Sequence, residues 1–487
     1  MNRFSGTASA SPLTNPLLLV MVLAAFTSVL NNSMVNVAIP TISRHLEVSP
    51  SLAGWVITAF SIVFATGVAL YGRVSDSYSF RGTFLAALVI FGAGSLTCAL
   101  APTFSYLVAG RAIQAAGAAS IPSLAFGSVA RLFPPGRRGV VFGTLSSAVG
   151  LGAAAGPLVG GLGVSAFGWR VLFYGTLAVI GILFIAAWRF LPDLNAQREP
   201  QPHRFVRLDL PGGLMLALGA AALLYGVTAA NHVGLAAPRA WGTLILAAAM
   251  LAGFALRIRT AAYPFVPPAL FANRQFLSAS GIALLSQGAF IGGGLFLTPL
   301  LLINELGLSA FQTGLVIAPG AFAVALLAPT IGRLSDKFGP RAVLGISLSC
   351  LLTGLLFMSS FAVGAAPWLV AVALVIASTG YAGVTSPAAN AASKALSAEI
   401  AGVGFGIYQL FFFMGAGTGA AVFGTVLSAR QRLGDAAFNP LYAGGEATAA
   451  FSDAYLVACV AVLLALVLLT GLGRADSVSS DAARGGG

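Results

Sequence analysis

Long apolar runs separated by short polar breaks recur along the whole sequence. Each run is about 20 residues long, the length that an α-helix needs to cross the hydrocarbon core of a bilayer. The runs are continuous and do not alternate, so they predict membrane-spanning helices and not the strands of a membrane β-barrel. The predicted spans number fourteen, at residues 16–39, 52–71, 82–100, 104–126, 139–161, 170–190, 208–228, 240–257, 278–302, 310–331, 341–361, 367–387, 402–427 and 453–473.

The composition agrees with an all-α integral membrane protein. Of the 487 residues, 58% are hydrophobic and 8% are charged, whereas a soluble domain carries about 25% charged residues. One basic residue, Arg3, precedes the first run and no small-residue cleavage site follows it, so we expect a retained helix and not a signal peptide. Cys98, Cys350 and Cys459 all lie in apolar runs. We therefore expect no disulfide, no metal site and no cofactor.

The basic residues predict the orientation in the membrane. With both termini in the cytoplasm, the cytoplasmic loops and tails hold 19 of the 25 Lys and Arg residues, the outer loops hold 5, and Arg111 alone lies in a span. Positive residues concentrate on the cytoplasmic side of membrane proteins. We therefore predict cytoplasmic termini in the cell (inner) membrane. The net charge of +12 is explained by these loops, and no nucleic-acid partner is expected.

A short loop sequence occurs twice. The segments "GRVSDSYSFR" (72–81) and "GRLSDKFGPR" (332–341) agree at five of ten positions and begin 260 residues apart. Eight intervening helices of about 32 residues each fit this spacing, so we predict two six-helix repeats with two additional helices between them. The predicted division is 1–191 for the N-terminal repeat, 192–207 for a cytoplasmic linker, 208–257 for the two extra helices, 258–473 for the C-terminal repeat and 474–487 for a disordered cytoplasmic tail.

Several motifs carry a resemblance to a known family. Besides the repeated loop they are "LNNSMVNVAIP" (30–40), "WVITAF" (55–60), "RAIQAAGAA" (111–119), "GLGAAAGPLVGG" (150–161) and "LFANRQF" (270–276). Together they resemble the major facilitator superfamily, in particular its fourteen-helix branch of drug:proton antiporters. The resemblance covers almost the whole chain and implies the major-facilitator fold, in which we expect a monomer. The chain departs from the pattern at Asn31, where the family usually has an acid.

The repeated loop contains the residues that we expect to form a gate. They are Gly72, Asp76 and Arg81 in the first copy and Gly332, Asp336 and Arg341 in the second. A carboxylate in such a turn can accept hydrogen bonds from the N-terminus of a neighbouring helix and so close one side of the protein. The resemblance implies that Asp76 caps the thirteenth helix near residues 401–403. The alternative is an ordinary solvated loop.

A row of small residues marks the fifth span. Gly152, Gly156 and Gly160 recur at every fourth position, a spacing that lets two helices approach closely. Pro157 removes one backbone hydrogen bond and bends the helix. We expect a close and bendable contact between the repeats, which would serve their rocking motion. The alternative is ordinary tight packing.

Polar residues inside the spans predict a substrate cavity. The asparagines of the first span cover a broad arc that cannot face lipid, where amides find no partners. A buried cation such as Arg111 must also face the interior or a water-filled space. We predict a cavity lined by Asn31, Asn32, Asn36, Thr58, Arg111, Gln114, Gln287, Tyr381, Tyr408 and Gln409. The alternative is that these groups only bond neighbouring helices to one another.

The predicted function is secondary active transport of a small aromatic or amphipathic molecule by alternating access, with efflux of a drug or metabolite as the first expectation. Asn31 cannot titrate as a carboxylate does. Whether protons are coupled is therefore open, with Glu305 and Asp453, at the outer helix ends, as weak candidates. For both acids we expect an ordinary solvated helix end. The same missing acid keeps a second function open, namely uptake of a neutral or anionic, vitamin-like nutrient without proton coupling through the first helix.

Other classes of function are disfavoured. All three His residues lie in loops or at helix ends, so no catalytic cluster is expected inside the membrane and the protein is not expected to be an enzyme. No phosphate-binding loop for ATP occurs in the sequence. The expected partners are a small-molecule substrate and the lipid bilayer.

Overall fold

The structure is a computed structural model that describes residues 16–77, 79–192, 209–233, 237–397, 399–434 and 436–473. Within these residues fourteen helices are long and apolar enough to span a membrane, which confirms the predicted class and number. They are α1 (Pro16–His45), α2 (Trp55–Val74), α3 (Phe80–Ala99), α4 (Phe104–Leu132), α5 (Arg138–Phe167), α6 (Arg170–Phe190), α7 (Leu210–Ala230), α8 (Pro238–Thr260), α9 (Arg274–Glu305), α10 (Phe311–Phe338), α11 (Pro340–Ala362), α12 (Pro367–Lys394), α13 (Ala401–Leu433) and α14 (Glu446–Gly471).

The polar breaks between the apolar runs define where several helices begin. Ser79 and Thr103 accept hydrogen bonds from backbone N–H groups in the first turns of α3 and α4. Asn273 does the same for α9, and Ser309 forms a reciprocal capping box with Gln312 at the start of α10. These caps satisfy N–H groups that the helix itself leaves unpaired. Several helices run past the predicted spans; α1, for example, ends at His45 and not at residue 39.

Helices α9 and α11 contain π-helical turns, which the sequence did not indicate. In α9 they cover Ala289–Phe296 and Leu301–Glu305, and in α11 they cover Met358–Ala362. The first segment includes three consecutive glycines, and Gly292 packs directly against Gly419 of α13. The absence of side chains therefore lets α9 approach α13 closely where its backbone is irregular.

The first six helices and the last six helices pack in matching ways. Gly94 of α3 lies against Gln114 of α4, and Gly354 of α11 lies against Ala377 of α12. The two glycines are 354 − 94 = 260 residues apart, which is the offset of the repeated loop. This correspondence agrees with two repeats. The domain division itself stays a prediction, and its linker at 193–207 and tail at 474–487 lie outside the described residues.

Contacts between the first six and the last six helices gather at one end of the bundle. We call the end at which α1 begins and α14 ends the terminal end, and the other the opposite end. At the terminal end Gly139 of α5 meets Gly332 of α10, and Gly72 of α2 meets Gly402 of α13. The pair α7 and α8 forms an additional hairpin, in which α7 contacts both α2 and α13.

The hairpin is fixed to the bundle by a buried carboxylate. Asp209, just before α7, accepts hydrogen bonds from the backbone N–H of Gly212 at 3.1 Å and from Arg257 Nε at 2.9 Å. It also accepts one from the backbone N–H of Phe265 at 3.3 Å. One side chain thus joins the start of α7, the end of α8 and the connection to α9.

Candidate functional site

An asparagine of α1 lies at the centre of a buried polar cluster. Asn31 is 0% exposed. Its amide nitrogen donates to Thr176 Oγ1 of α6 at 2.9 Å, and its amide oxygen accepts from Arg111 Nη1 of α4 at 3.0 Å. The side chain therefore uses one donor and one acceptor, a combination that a carboxylate does not offer.

Arg111 donates to four neutral oxygens. Nη1 also donates to Gln114 Oε1 at 2.6 Å, Nη2 to Asn32 Oδ1 at 3.1 Å, and Nε to the backbone oxygen of Val56 at 3.1 Å. The guanidinium carbon lies 4.1 Å from the centre of the Phe60 ring. No Asp or Glu among the described residues forms an ion pair with it. Amide dipoles and an aromatic face thus replace the water that the cation loses on burial.

The cluster joins five helices of the first half. Gln114 Nε2 donates to Ser95 Oγ of α3 at 2.8 Å, so α3 is linked to α1, α2, α4 and α6. The sequence analysis missed Ser95, Thr176 and Phe60. The two hydroxyls were visible as single polar residues in apolar runs, but their partners are 19 and 145 residues away along the chain.

The structure corrects part of the predicted cavity. Asn31, Arg111 and Gln114 are each 0% exposed, so they do not line open space in this conformation. Their hydrogen bonds to one another draw them into the interior of the first six helices, where unpaired polar groups would be costly. Asn32 and Thr58 are partly exposed and Asn36 is exposed, so that these three positions remain accessible.

A second polar cluster lies in the last six helices. The hydroxyl of Tyr381 in α12 donates to Gln287 Oε1 of α9, and the Phe290 ring stacks on the Tyr381 ring with 4.0 Å between their centres. Tyr408 and Gln409 of α13 are also buried. The predicted cavity residues therefore come from both halves of the protein.

The second copy of the repeated loop forms the expected contact with a helix N-terminus. Asp336, near the end of α10, accepts from the backbone N–H of Gly139 at 2.8 Å and of Val140 at 3.0 Å. Both donors belong to the first turn of α5, whose partial positive charge favours a carboxylate. Asn390 Nδ2 of α12 donates to the same carboxylate at 3.3 Å. The alternative of an ordinary solvated loop is therefore wrong for Asp336.

Glycine allows the backbones to approach closely at this contact. A methyl group on Gly332 would collide with the carbonyl oxygen of Gly139, and the same oxygen accepts from Ser386 Oγ at 2.7 Å. The Nη1 atom of Arg341 takes no part in this contact, because it donates to the Leu472 carbonyl oxygen at 2.8 Å. The terminal end between α5 and α10 is closed by these bonds.

The first copy of the loop is described in part. A methyl group on Gly72 of α2 would lie 2.6 Å from the carbonyl oxygen of Gly402 in α13, so the backbones of α2 and α13 also meet at the terminal end. The side chain of Asp76 lies outside the described residues, and its predicted cap on residues 401–403 stays a prediction. Arg81 is partly exposed at the start of α3.

The glycine row of α5 does not contact the other half, which corrects the prediction. A methyl group on Gly152 would lie 2.7 Å from the backbone oxygen of Phe26, and one on Gly160 would lie 2.6 Å from that of Met34. Gly156 packs against Ser33. All three partners belong to α1 of the same half, because the face that carries these glycines points toward α1. Pro157, one position further, is exposed.

The two acids considered for proton coupling have different surroundings. Glu305 is exposed, as expected for a solvated helix end. Asp453 is 2% exposed and accepts from Arg430 Nε at 2.7 Å and from the backbone N–H of Phe438 at 2.8 Å. The expectation of a solvated end is therefore wrong for Asp453. Its ion pair joins α13 and α14 and anchors the loop between them.

Comparison with known proteins assigns the family. The family model described as Major Facilitator Superfamily matches residues 21–420 and again residues 279–484. This chain belongs to the major facilitator superfamily. It is therefore a multi-pass membrane transporter, and its fourteen spans fit the major-facilitator fold.

Curated relatives include exporters and a vitamin transporter. An uncharacterized MFS-type transporter, YhcA of Bacillus subtilis (strain 168), is 32% identical over 70% of this chain, which spans 63% of YhcA. The tetracenomycin C resistance and export protein of Streptomyces glaucescens is 28% identical, with 91% of this chain and 82% of that protein covered. The riboflavin transporter RibZ of Clostridioides difficile (strain 630) is 28% identical, with 76% and 78% covered.

A solved structure shares the fold. The human organic anion transporter MFSD10 (TETRAN) aligns with a TM-score of 0.64 over 94% of this chain and 100% of that one, at 16% sequence identity. At this identity the likeness concerns the arrangement of the helices and not the substrate.

Proposed function

We propose that this protein exports a neutral or anionic, aromatic or amphipathic molecule from the cytoplasm by alternating access. The similarity to a tetracenomycin C export protein and the resemblance of the segment at 150–161 and the other motifs to drug:proton antiporters support export. The distribution of basic residues supports a cytoplasmic terminal end in the cell (inner) membrane. The transporter acts as a monomer in this proposal.

The single observation that carries the substrate class is the cluster around Arg111. The guanidinium is buried among amide and carbonyl oxygens that have no formal charge, so the cluster keeps one uncompensated positive charge inside the first half. Such a charge disfavours a second cation nearby and favours an anion or an electron-rich aromatic ring. Asn31 makes this difference, because an acid at the same position would cancel the charge.

The same cluster bears on proton coupling. An amide at position 31 has no proton to exchange in the accessible pH range, so we place no coupling step on α1. Asp453 forms a buried ion pair with Arg430 and accepts a hydrogen bond from the backbone N–H of Phe438. Since both of its partners lie in α13 and the adjoining loop, we assign the pair to stabilising this region rather than to carrying protons.

The gate at Asp336 supplies the alternating step. The carboxylate of Asp336 in α10 accepts two hydrogen bonds from the backbone of α5. In this proposal the cytoplasmic side stays closed while these hydrogen bonds hold. Breaking them would let the two halves rock about their contact and open the pathway to the cytoplasm. In this proposal the structure corresponds to the state that is closed toward the cytoplasm.

A transport assay on a panel of dyes tests the substrate class and the direction. Purified protein in vesicles is offered an aromatic anion (1-anilinonaphthalene-8-sulfonate), a neutral aromatic amine (N-phenylnaphthylamine) and a permanent cation (ethidium), and both uptake and release are followed. We expect transport of the first two and little of the third. Transport of ethidium at a rate equal to that of the anion would overturn the assigned class.

A second function, uptake of a vitamin-like nutrient, is favoured by one observation. The riboflavin transporter RibZ aligns with 76% of this chain, and riboflavin is an uncharged aromatic compound that hydrogen-bonds, which fits the accessible amides of Asn32 and Asn36. An assay of riboflavin in intact cells that produce the protein distinguishes the two functions, because net accumulation indicates uptake and net depletion indicates export.

A further inference from the structure

The two seams between the first six and the last six helices differ, although the halves resemble each other. We call the contact of α5 with α10 the open seam and the contact of α2 with α13 the sealed seam. Both are closed at the terminal end, by Gly139 with Gly332 and by Gly72 with Gly402. The difference lies between the middle of the membrane and the opposite end.

In the open seam the helices diverge beyond the middle. Gly150 of α5 still reaches Val324 of α10, where a methyl group would lie 3.3 Å from the Val324 side chain. A methyl group added at Gly161 of α5 or at Gly314 of α10 meets nothing within 4 Å. The faces of α5 and α10 that are in contact at the terminal end therefore both border free space toward the opposite end.

In the sealed seam α7 occupies the corresponding position. The rings of Phe64 in α2 and Phe413 in α13 are in contact, with 4.9 Å between their centres. One turn farther along α13, Leu224 of α7 fills the notch at Gly417. The neighbouring residue of α7, Tyr225, packs its ring 5.9 Å from that of Trp55 at the opposite end of α2. Helix α7 therefore closes a gap that would otherwise match the one between α5 and α10.

We propose that the open seam is a lateral portal through which amphipathic aromatic substrates exchange directly with the membrane, and that α7 seals the equivalent portal on the other side. This inference rests on the proposed function for the chemistry of its substrate. Large apolar side chains are exposed on the open-seam helices, among them Leu158 and Leu162 of α5 and Leu315 and Phe322 of α10. A molecule dissolved in lipid meets no polar barrier on approaching them. The extra hairpin thus makes exchange with the bilayer one-sided.

Filling the open seam tests the portal. Gly314→Trp places a large ring where the structure has free space, so the fold should tolerate it. Gly181→Trp on α6 is the matched control, because a methyl group at Gly181 also meets nothing within 4 Å. For 1-anilinonaphthalene-8-sulfonate we expect about a tenfold lower initial rate with Gly314→Trp, since a barrier of about 1.4 kcal/mol has that effect, and an unchanged rate with Gly181→Trp. Equal rates in both variants would overturn the portal.

Releasing the seal tests the role of α7. Leu224→Ala empties the notch at Gly417, and in the Gly314→Trp background it should restore part of the lost transport by opening the second route. No recovery would contradict the assignment of α7 as the seal.

A fluorescence measurement tests the seam without any transport. A bimane label at Gly314→Cys or Gly161→Cys, in a background with the three native cysteines replaced by Ala, should be quenched both by brominated lipid and by a water-soluble quencher. The label at Gly181→Cys should respond to brominated lipid alone. Absence of lipid quenching at the seam positions would overturn the portal. If the unaltered protein carries none of the dyes, the assigned substrate class fails, and this measurement still decides the portal.

Discussion

Replacing Asp336 by Asn should loosen the gate. An amide oxygen can still accept from one of the two backbone N–H groups at 2.8 and 3.0 Å, but its nitrogen then faces the other donor. A hydrogen bond to a charged group contributes about 1.5 to 3 kcal/mol, and the lost charge at the helix N-terminus adds about 0.3 to 1 kcal/mol. Because Asp336 is partly exposed, we expect a total of about 1.5 to 2 kcal/mol, which is roughly a 10- to 30-fold shift toward the cytoplasm-open state.

A buried serine provides the readout. Ser147 of α5 is 7% exposed, and its hydroxyl donates to the backbone oxygen of Ala325 in α10 at 2.8 Å. In a background free of the native cysteines, Ser147→Cys should react with a water-soluble maleimide only when the gate opens. We expect labelling to be at least about tenfold faster with Asp336→Asn, in proportion to the population of the open state.

A second serine separates opening of the gate from general loosening. Ser123 of α4 is also buried, but its hydroxyl donates to the backbone oxygen of Val68 within the first half. Labelling of Ser123→Cys should stay slow with Asp336→Asn. Equal labelling of Ser147→Cys with and without Asp336→Asn would refute the reasoning, and faster labelling at both serines would show that the fold, and not the gate, was loosened.

Two further predictions concern stability. Asp453→Asn removes the buried carboxylate charge that pairs with Arg430, so it should cost about 3 to 5 kcal/mol and lower the thermal unfolding midpoint in detergent. Glu305→Gln, at an exposed position, should not lower the midpoint, and equal midpoints would contradict the importance of the buried pair. Gly156→Ala should also lower the midpoint, because the added methyl collides with Ser33, whereas Gly181→Ala meets free space; equal effects would show that α5 does not depend on this contact with α1.

The sequence was sufficient for the number of spans and for locating the loop whose Asp336 contacts a helix N-terminus. Both depend on local information, namely run length and a repeated motif. It was not sufficient for the partners of those residues. Gly156 has the spacing of a contact between helices, but spacing does not tell which helix is on the other side. The same limit applies to Asp453. The sequence places it at the outer end of a span, where a solvated side chain is expected, and only the structure shows its ion pair with Arg430 at 2.7 Å.

The polar cluster shows this limit most clearly. The asparagines and Arg111 were recognisable as polar groups that must avoid lipid, and their approach to one another followed from that requirement. Whether they face a cavity or each other depends on how Ser95 and Thr176 complete the network. Those two hydroxyls lie in otherwise apolar spans, and only the packing of α3 and α6 brings them to the cluster.

The most direct test of the account is the rate of ethidium transport relative to that of an aromatic anion, measured in vesicles for the unaltered protein and for Asn31→Asp. A cation about 8 Å from Arg111 is repelled by about 2 kcal/mol at an effective dielectric constant of about 20, which is roughly a thirtyfold difference. The account predicts slow ethidium transport by the unaltered protein and a rise of about that factor in the relative rate with Asn31→Asp, whose carboxylate cancels the charge of Arg111. Rapid ethidium transport with Asn31 in place, or a relative rate that Asn31→Asp leaves unchanged, would contradict it.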